Sequence, residues 1–213
     1  TRSSSHSSIK SPPAAFLPLV EGHALGIDIG EWVLSTAVTQ MDAWRAQGLA
    51  LPISVNVAAQ QFQHADFVGR LCALLAEHAQ LDPSCLELEL LESSALDDVG
   101  HASRIIETCQ RMGVRFALDD FGTGYSSLTY LKRLPAQLLK IDRSFVRDML
   151  DDPDDLAILK GVIGLAAAFH REVIAEGVES LEQGERLLAL GCDLAQGFGI
   201  ARPMPAQELP GWV

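Results

Sequence analysis

Apolar residues recur along this chain in two alternating rhythms. Short β-type runs are separated by longer stretches in which apolar side chains return every three or four positions. The runs predict strands at Ile53–Val57 (ISVNV), Leu86–Leu90 (LELEL), Arg115–Leu118 (RFAL), Leu138–Ile141 (LLKI), Val173–Ala175 (VIA) and Leu194–Ala195, leading into Gln196. The longer rhythm predicts amphipathic helices. Glu31–Gln47 carries Trp32, Val33, Ala37, Met41 and Trp44 at helical spacing, and Phe67–Ala79, His101–Met112, Ser127–Arg133, Asp155–His170 and Glu182–Leu190 read the same way. Gly48, Gly113, Pro135 and Gly191 fall where these helices should stop. Regular strand–helix alternation predicts an α/β chain with a parallel sheet and right-handed crossovers. A doubly wound open sheet and a (β/α) barrel both fit. Six strands are legible, whereas a closed barrel has eight. Residues 1–11 share nothing with this pattern and read as a linker, tag or flexible leader, so the domain is expected over 12–213.

Polar residues fall at the ends of the apolar runs. Asn56 ends the first and Glu89 the second, Asp119 and Asp120 follow the third, Lys140 and Asp142 close the fourth, Glu176 follows the fifth and Gln196 the sixth. Parallel strands bring all these ends to one face, where α/β proteins build binding sites. Each residue has a plain structural reading. An Asp after a strand caps the next helix, Lys140 can reach out along its stem to water, and Glu89 can face solvent from a half-buried strand. Six polar strand ends on one face are together an improbable accident. Their hard oxygen donors suit Mg²⁺ or Mn²⁺ better than zinc, and adjacent carboxylates such as Asp119 and Asp120 repel unless a cation lies between them.

Charge sharpens this picture. The 213 residues carry 16 Lys and Arg against 28 Asp and Glu, a net charge of −12. Such a surface repels nucleic-acid backbone, so DNA or RNA binding is not expected. A phosphate-ester ligand would then need a divalent metal to offset the acidic charge. No apolar run is long enough to span a bilayer, and serine-rich Thr1–Lys10 lacks the apolar core of a secretory signal. Cys72, Cys85, Cys109 and Cys192 lie far apart without a C-x-x-C spacing and read as reduced, mostly buried thiols. A cytoplasmic location is the expectation. The six histidines show no metal-binding spacing.

The segment Phe121, Gly122, Thr123, Gly124, Tyr125 forms a glycine-bearing loop after the acid pair. It lacks the Gly-Lys-Ser/Thr of a P-loop. Asp120-Phe121-Gly122 matches the metal-binding triplet of protein kinases, but no catalytic-loop or nucleotide-loop motif accompanies it. A mobile loop or a dimer contact remains open.

Taken together, SVNVAAQQF (54–62), LELELLESSAL (86–96), FALDDFGTGYSSLTYLKRLP (116–135), LKIDRSFV (139–146), VIAEGVES (173–180) and QGFGIARPMP (196–205) resemble the EAL domain, the cyclic-di-GMP phosphodiesterase module of bacterial signalling. PPAAFLPLVE (12–21) and GEWVL (30–34) match its early helical segment. The resemblance implies a modified TIM (β/α) barrel, incomplete here, with about six of eight strands present. It implies two Mg²⁺ or Mn²⁺ ions, with Asn56, Glu89, Asp119 and Asp120 as metal ligands and Asp119 as the bridge. It makes Lys140 and Glu176 the catalytic pair acting on water. Gln196, Asp142 and Glu179 would position substrate or water, and Glu92 would anchor the loop Phe121–Tyr125. Three departures from the family pattern stand out. Leu91 occupies the place of a threonine, Ala58 the place of a serine, and the strand carrying the ligating Glu-Ala-Leu glutamate has no counterpart before Pro12.

The resemblance therefore implies metal-dependent hydrolysis of cyclic-di-GMP to linear pGpG. The alternative is a cyclic-di-GMP receptor or a regulatory, dimerising module without turnover. The complete set of polar strand ends favours the enzyme, and the missing strand favours the receptor. The implied partners are cyclic-di-GMP, a second copy of the chain in a homodimer, and an upstream sensor or GGDEF-type domain in a longer parent. The missing strands also predict low activity and self-association through open sheet edges for this chain alone.

Overall fold

The structure is a computed structural model that describes residues 20, 23–96, 98–123 and 128–213. Helix α1 (Ala24–Arg45) leads into six strands: β1 (Ile53–Asn56), β2 (Leu86–Leu91), β3 (Arg115–Phe121), β4 (Leu138–Ile141), β5 (Glu172–Ala175) and β6 (Leu194–Ala195). Helices α2 (Ala59–Phe62) and α3 (Phe67–Glu77) connect β1 to β2, and α4 (Glu92–Leu96) and α5 (Val99–Arg111) connect β2 to β3. Then come α6 (Leu128–Arg133) before β4, α7 (Arg143–Arg147) and α8 (Pro153–Ala168) before β5, α9 (Leu181–Ala189) before β6, and a final turn α10 (Leu209–Trp212).

Every neighbouring pair of strands is parallel, and their spatial order is their chain order. A doubly wound sheet reverses direction at a switch point; this one never does. Each crossover steps one strand further the same way, so the sheet curls into a half-barrel clad in helices. Among the described residues, β1 and β6 each have a strand neighbour on one side only.

Side chains alternate between the two faces of a strand, and the two faces differ sharply. One carries Leu88, Leu90, Phe116, Leu118, Leu139 and Ile141, all buried. Phe116 meets Phe62 edge-on at 6.2 Å between ring centres, which puts this face against the helices. The other face lines the barrel interior in layers. At the N-terminal end of the strands, the Ser54 hydroxyl donates to Glu87 at 2.9 Å, and Arg115 pairs with Glu172. Ala117 and Leu138 form an apolar layer above them. Glu89, Lys140 and Asp119 lie above that, at the C-terminal mouth.

Most boundaries agree with the sequence expectation to within two residues, and three differences are larger or touch the site. Helix α1 begins at Ala24, seven residues before Glu31, with its end capped by the His23 imidazole. Strand β3 runs on to Phe121, so Asp119 and Asp120 belong to the strand and do not follow it. Glu92 opens helix α4, a short helix for which the sequence pattern gives no signal. Cys72 is exposed and Cys85 half-buried, so only Cys109 and Cys192 are buried thiols.

Gly197 holds the turn after β6 against the turn after β5. Its φ is +158°, and a Cβ there would lie 2.2 Å from the Val178 carbonyl oxygen. Gly161, within α8, has open space around it. Gly197→Ala should therefore destabilise the fold by more than about 1 kcal/mol. Gly161→Ala should stabilise it by about 0.5–1 kcal/mol through helix propensity. Urea unfolding of both variants checks the pair; equal effects would contradict the close approach.

Candidate active site

Strand register alone brings Asn56 opposite Glu89, and Leu91 opposite Asp119. Between β3 and β4 the register shifts: Leu118 pairs with Leu139, but the next pair is Phe121 with Ile141. Two residues, Asp119 and Asp120, thus oppose the single residue Lys140. This is a β-bulge, and Asp120 sits at φ +54° within it. In a regular strand two consecutive carboxylates would point to opposite faces. Here the bulge turns both toward the mouth, where oxygens of Asp119, Asp120 and Glu176 come within 4.8 Å of one another. Left-handed backbone at a non-glycine residue costs about 1–3 kcal/mol.

Lys140 is the centre of the cluster. Its Nζ lies 2.8 Å from Glu89 Oε1, 3.0 Å from Asp119 Oδ1 and 2.6 Å from Glu176 Oε1. Lys140 is 3% and Glu89 4% exposed, so neither reaches out to solvent. Burial disfavours the ammonium, yet the hydrogen bonds it donates to Glu176 and Glu89, and then to Asp119, outweigh it and hold its pKa above the ordinary lysine value. Burial pushes the carboxyls of Glu89 and Glu176 up, with Lys140 opposing. Burial, then the charges of Asp119 and Asp142, push Asp120 up as well. With Glu89, Asp119, Asp120 and Glu176 ionised, four negative charges face one ammonium. Among the described residues no second Lys or Arg pairs with them. That surplus, in oxygen donors only, fits hard divalent cations.

The remaining predicted residues surround this cluster. Gln196 Nε2 donates to Glu176 Oε1 at 2.9 Å. Asn56 is exposed at the end of β1, and its amide has no hydrogen bond among the described residues. Asp142 caps α7, with Oδ1 accepting from the Ser144 N–H at 3.0 Å and from the Ser144 hydroxyl. Burial works against its ionisation, but those bonds from Ser144 keep its pKa low. Glu179 is exposed, and no hydrogen bond or ion pair among the described residues ties its carboxylate to the cluster. Glu92 is buried, and its Oε2 accepts from the Gly122 N–H at 3.2 Å. Phe121 packs in the core and Thr123 hydrogen-bonds back to the Asp120 carbonyl at 2.8 Å. Gly124 and Tyr125 lie outside the described residues. The strand-end pattern does not reach Gln183, a buried amide beside this face. Its signal in the sequence is the capping-box spacing Ser180-x-x-Gln183.

Comparison with known proteins decides the family. The EAL domain family matches residues 2–203. The chain belongs to the EAL domain family. The bifunctional diguanylate cyclase/cyclic di-GMP phosphodiesterase MucR of Pseudomonas aeruginosa is 48% identical over 198 residues, 92% of this chain and 29% of that protein. The cyclic di-GMP phosphodiesterase PA2567 of the same species is 37% identical over 201 residues, 94% of this chain and 34% of its own length. A solved structure described as the PaMucR phosphodiesterase in complex with c-di-GMP superimposes with a TM-score of 0.88 at 47% identity, covering 92% of this chain and 80% of that one. The chain thus spans about a third or less of these curated relatives' lengths. Among the described residues of this EAL domain, no helix is long and apolar enough to cross a membrane. Ala58, in place of the serine, stands at the N-cap of α2 without a side-chain cap, a loss that typically costs about 1 kcal/mol.

Glu92 yields a pH prediction. Burial, opposed only by the Gly122 N–H, raises its pKa, and its Oε1 has no partner among the described residues. A raised carboxyl pKa means the folded state holds the proton longer than the unfolded one, so stability falls as pH rises from the ordinary glutamate value through the raised one. Glu92→Gln removes this titration. Its stability relative to wild type should therefore rise with pH, read as the difference in urea midpoints at pH 4 and pH 8. A difference independent of pH would contradict the assignment.

Proposed function

We propose that this chain is the catalytic part of a cyclic-di-GMP phosphodiesterase that opens the ring to linear pGpG. The observation that carries the reading is the buried Lys140 ammonium gripped by Glu89, Asp119 and Glu176 at the strand mouth. Family membership and the activities for which MucR and PA2567 are named support the choice of substrate. In the reaction, a water oxygen joins phosphorus and loses a proton, one P–O3′ bond breaks, and the 3′ oxygen takes up a proton from solvent and leaves as a hydroxyl.

Asn56, Glu89, Asp119 and Asp120 are the residues that would hold the metals. Two Mg²⁺ or Mn²⁺ ions, when bound, supply charge to the phosphate oxygens and lower the pKa of water. The protein's own groups do the rest. Glu176, whose basicity is raised by burial, takes the proton from the attacking water. Lys140, held protonated by its carboxylate partners, offers fixed positive charge to the negative charge developing at phosphorus. Gln196 fixes the Glu176 carboxylate by donating to Oε1. Asp142 and Glu179 serve substrate and water at the rim, and Glu92 holds the Gly122 end of the loop. The chain would work inside a longer cytoplasmic signalling protein, next to a sensor or GGDEF-type domain.

Asp119→Asn tests this directly. It halves the acidic charge of the doublet made by the bulge and leaves the shape of the side chain. In the intact protein with Mn²⁺, the rate of pGpG formation should fall below about one tenth of wild type. A metal chelator should abolish wild-type turnover. Asp119→Asn with a wild-type rate, or turnover that survives the chelator, would sink the proposal.

A further inference from the structure

We propose that Gln183 is a positioning residue for the Lys140–Glu176 pair, an inference that rests on the phosphodiesterase reading. Gln183 lies in the first turn of α9 and is 7% exposed. Its side-chain amide is used on both ends. Nε2 donates to the carbonyls of Val146 at 3.1 Å and Arg147 at 3.2 Å. Oε1 accepts from the backbone N–H of Glu179 at 2.8 Å and of Ser180 at 3.2 Å. A buried amide with all four of these bonds made is rigid, and each bond lost leaves a buried polar group unpaired.

What the four bonds connect gives the residue its role. Val146 and Arg147 end α7, the helix that starts two residues after β4 and therefore just beyond Lys140. Glu179 and Ser180 end the turn that starts at Glu176. Gln183 thus fastens the far end of the Glu176 turn to the helix following the lysine strand. The near end is fastened by packing: a Cβ on Gly177 would lie 2.6 Å from Arg143 Cβ, so the turn already touches the first residue of α7. On its other side the turn is bonded to the β6 loop, with Val178 N–H donating to the Gln196 carbonyl at 3.0 Å and Gly199 N–H to the Val178 carbonyl at 2.9 Å. The Glu176 turn is therefore a slab clamped between the lysine side and the Gln196 side. Gln183 is the polar clamp on the lysine side. The 2.6 Å Lys140–Glu176 contact and the 2.9 Å Gln196–Glu176 contact both depend on where that slab sits.

The variant Gln183→Met keeps the length and volume of the side chain and removes all four bonds. Gln183→Glu keeps an acceptor for Glu179 and Ser180 and removes both donations to α7. With cyclic-di-GMP and Mn²⁺, assayed well below each variant's melting midpoint, Gln183→Met should lose roughly 10- to 100-fold in kcat, as displaced catalytic groups do. Its KM should stay within about threefold, because the amide touches no substrate. Gln183→Glu should lose kcat in the same direction, and it stands in should the methionine variant fail to fold. A second readout needs no turnover. Amide hydrogen exchange at residues 176–180 and at Gln196 should quicken by at least ~10-fold, while β1–β3 keep their protection. A purely structural role would lower the melting midpoint and leave kcat of the folded variant unchanged. Unchanged kcat, or unchanged exchange at 176–180 and Gln196, overturns the assignment. Wild-type protein that binds cyclic-di-GMP and never hydrolyses it overturns the phosphodiesterase reading instead, and the exchange measurement then decides the role of Gln183.

Discussion

A lysine ammonium taken out of water loses several kcal/mol of hydration, and the interior recovers that only when carboxylates stand close around it. Lys140 meets this condition through three strands other than its own: Glu89 from β2, Asp119 from β3 and Glu176 from the end of β5. One cation thereby ties together the ends of four consecutive strands. The carboxylates depend on it equally, since four of them would otherwise repel across a few ångströms. The cluster has its place only because the strands are parallel and in chain order, which brings all their C-terminal ends to one mouth. The apolar layer of Ala117 and Leu138 beneath it keeps the dielectric low and the pairing strong.

The bulge in β3 serves the same constraint. Regular alternation would deliver one carboxylate from Asp119–Asp120 to the mouth and bury the other against the helices. Asp120 at φ +54° turns the second inward and lets Phe121 return to the core. The strain is local, and it leaves more negative charge at the mouth than Lys140 can balance. That excess would suit divalent cations, which the proposed phosphodiesterase reading calls for in a protein whose net charge is −12.

The periodicity exposed most of the architecture. Six strands were legible because each is a short apolar run ended by a polar residue. Periodicity did not choose between an open sheet and a barrel, since strand order is a long-range property that local runs do not carry; the resemblance to the EAL domain chose the barrel, as the structure has it. The polar strand ends pointed to the mouth, and Glu89, Asp119, Lys140, Glu176 and Gln196 meet there. The grip of Lys140 on three carboxylates could not be read, because it depends on side-chain depth. The bulge was hidden too, as Asp-Asp reads as a turn as readily as a strand. The Glu92–Gly122 contact came from the resemblance alone, and the buried amide of Gln183 needed a neighbour 36 residues away in sequence.

The dependence on Lys140 is open to one direct measurement. Lys140→Met keeps the stem and removes the charge, leaving Glu89, Asp119 and Glu176 buried without their partner. Unfolding free energy, measured by urea denaturation at neutral pH with a metal chelator present, should fall by about 3–5 kcal/mol relative to wild type, the cost of breaking a buried ion pair from one side. A Lys140→Met protein as stable as wild type, or more stable, would show that the mouth is held by something other than this charge cluster.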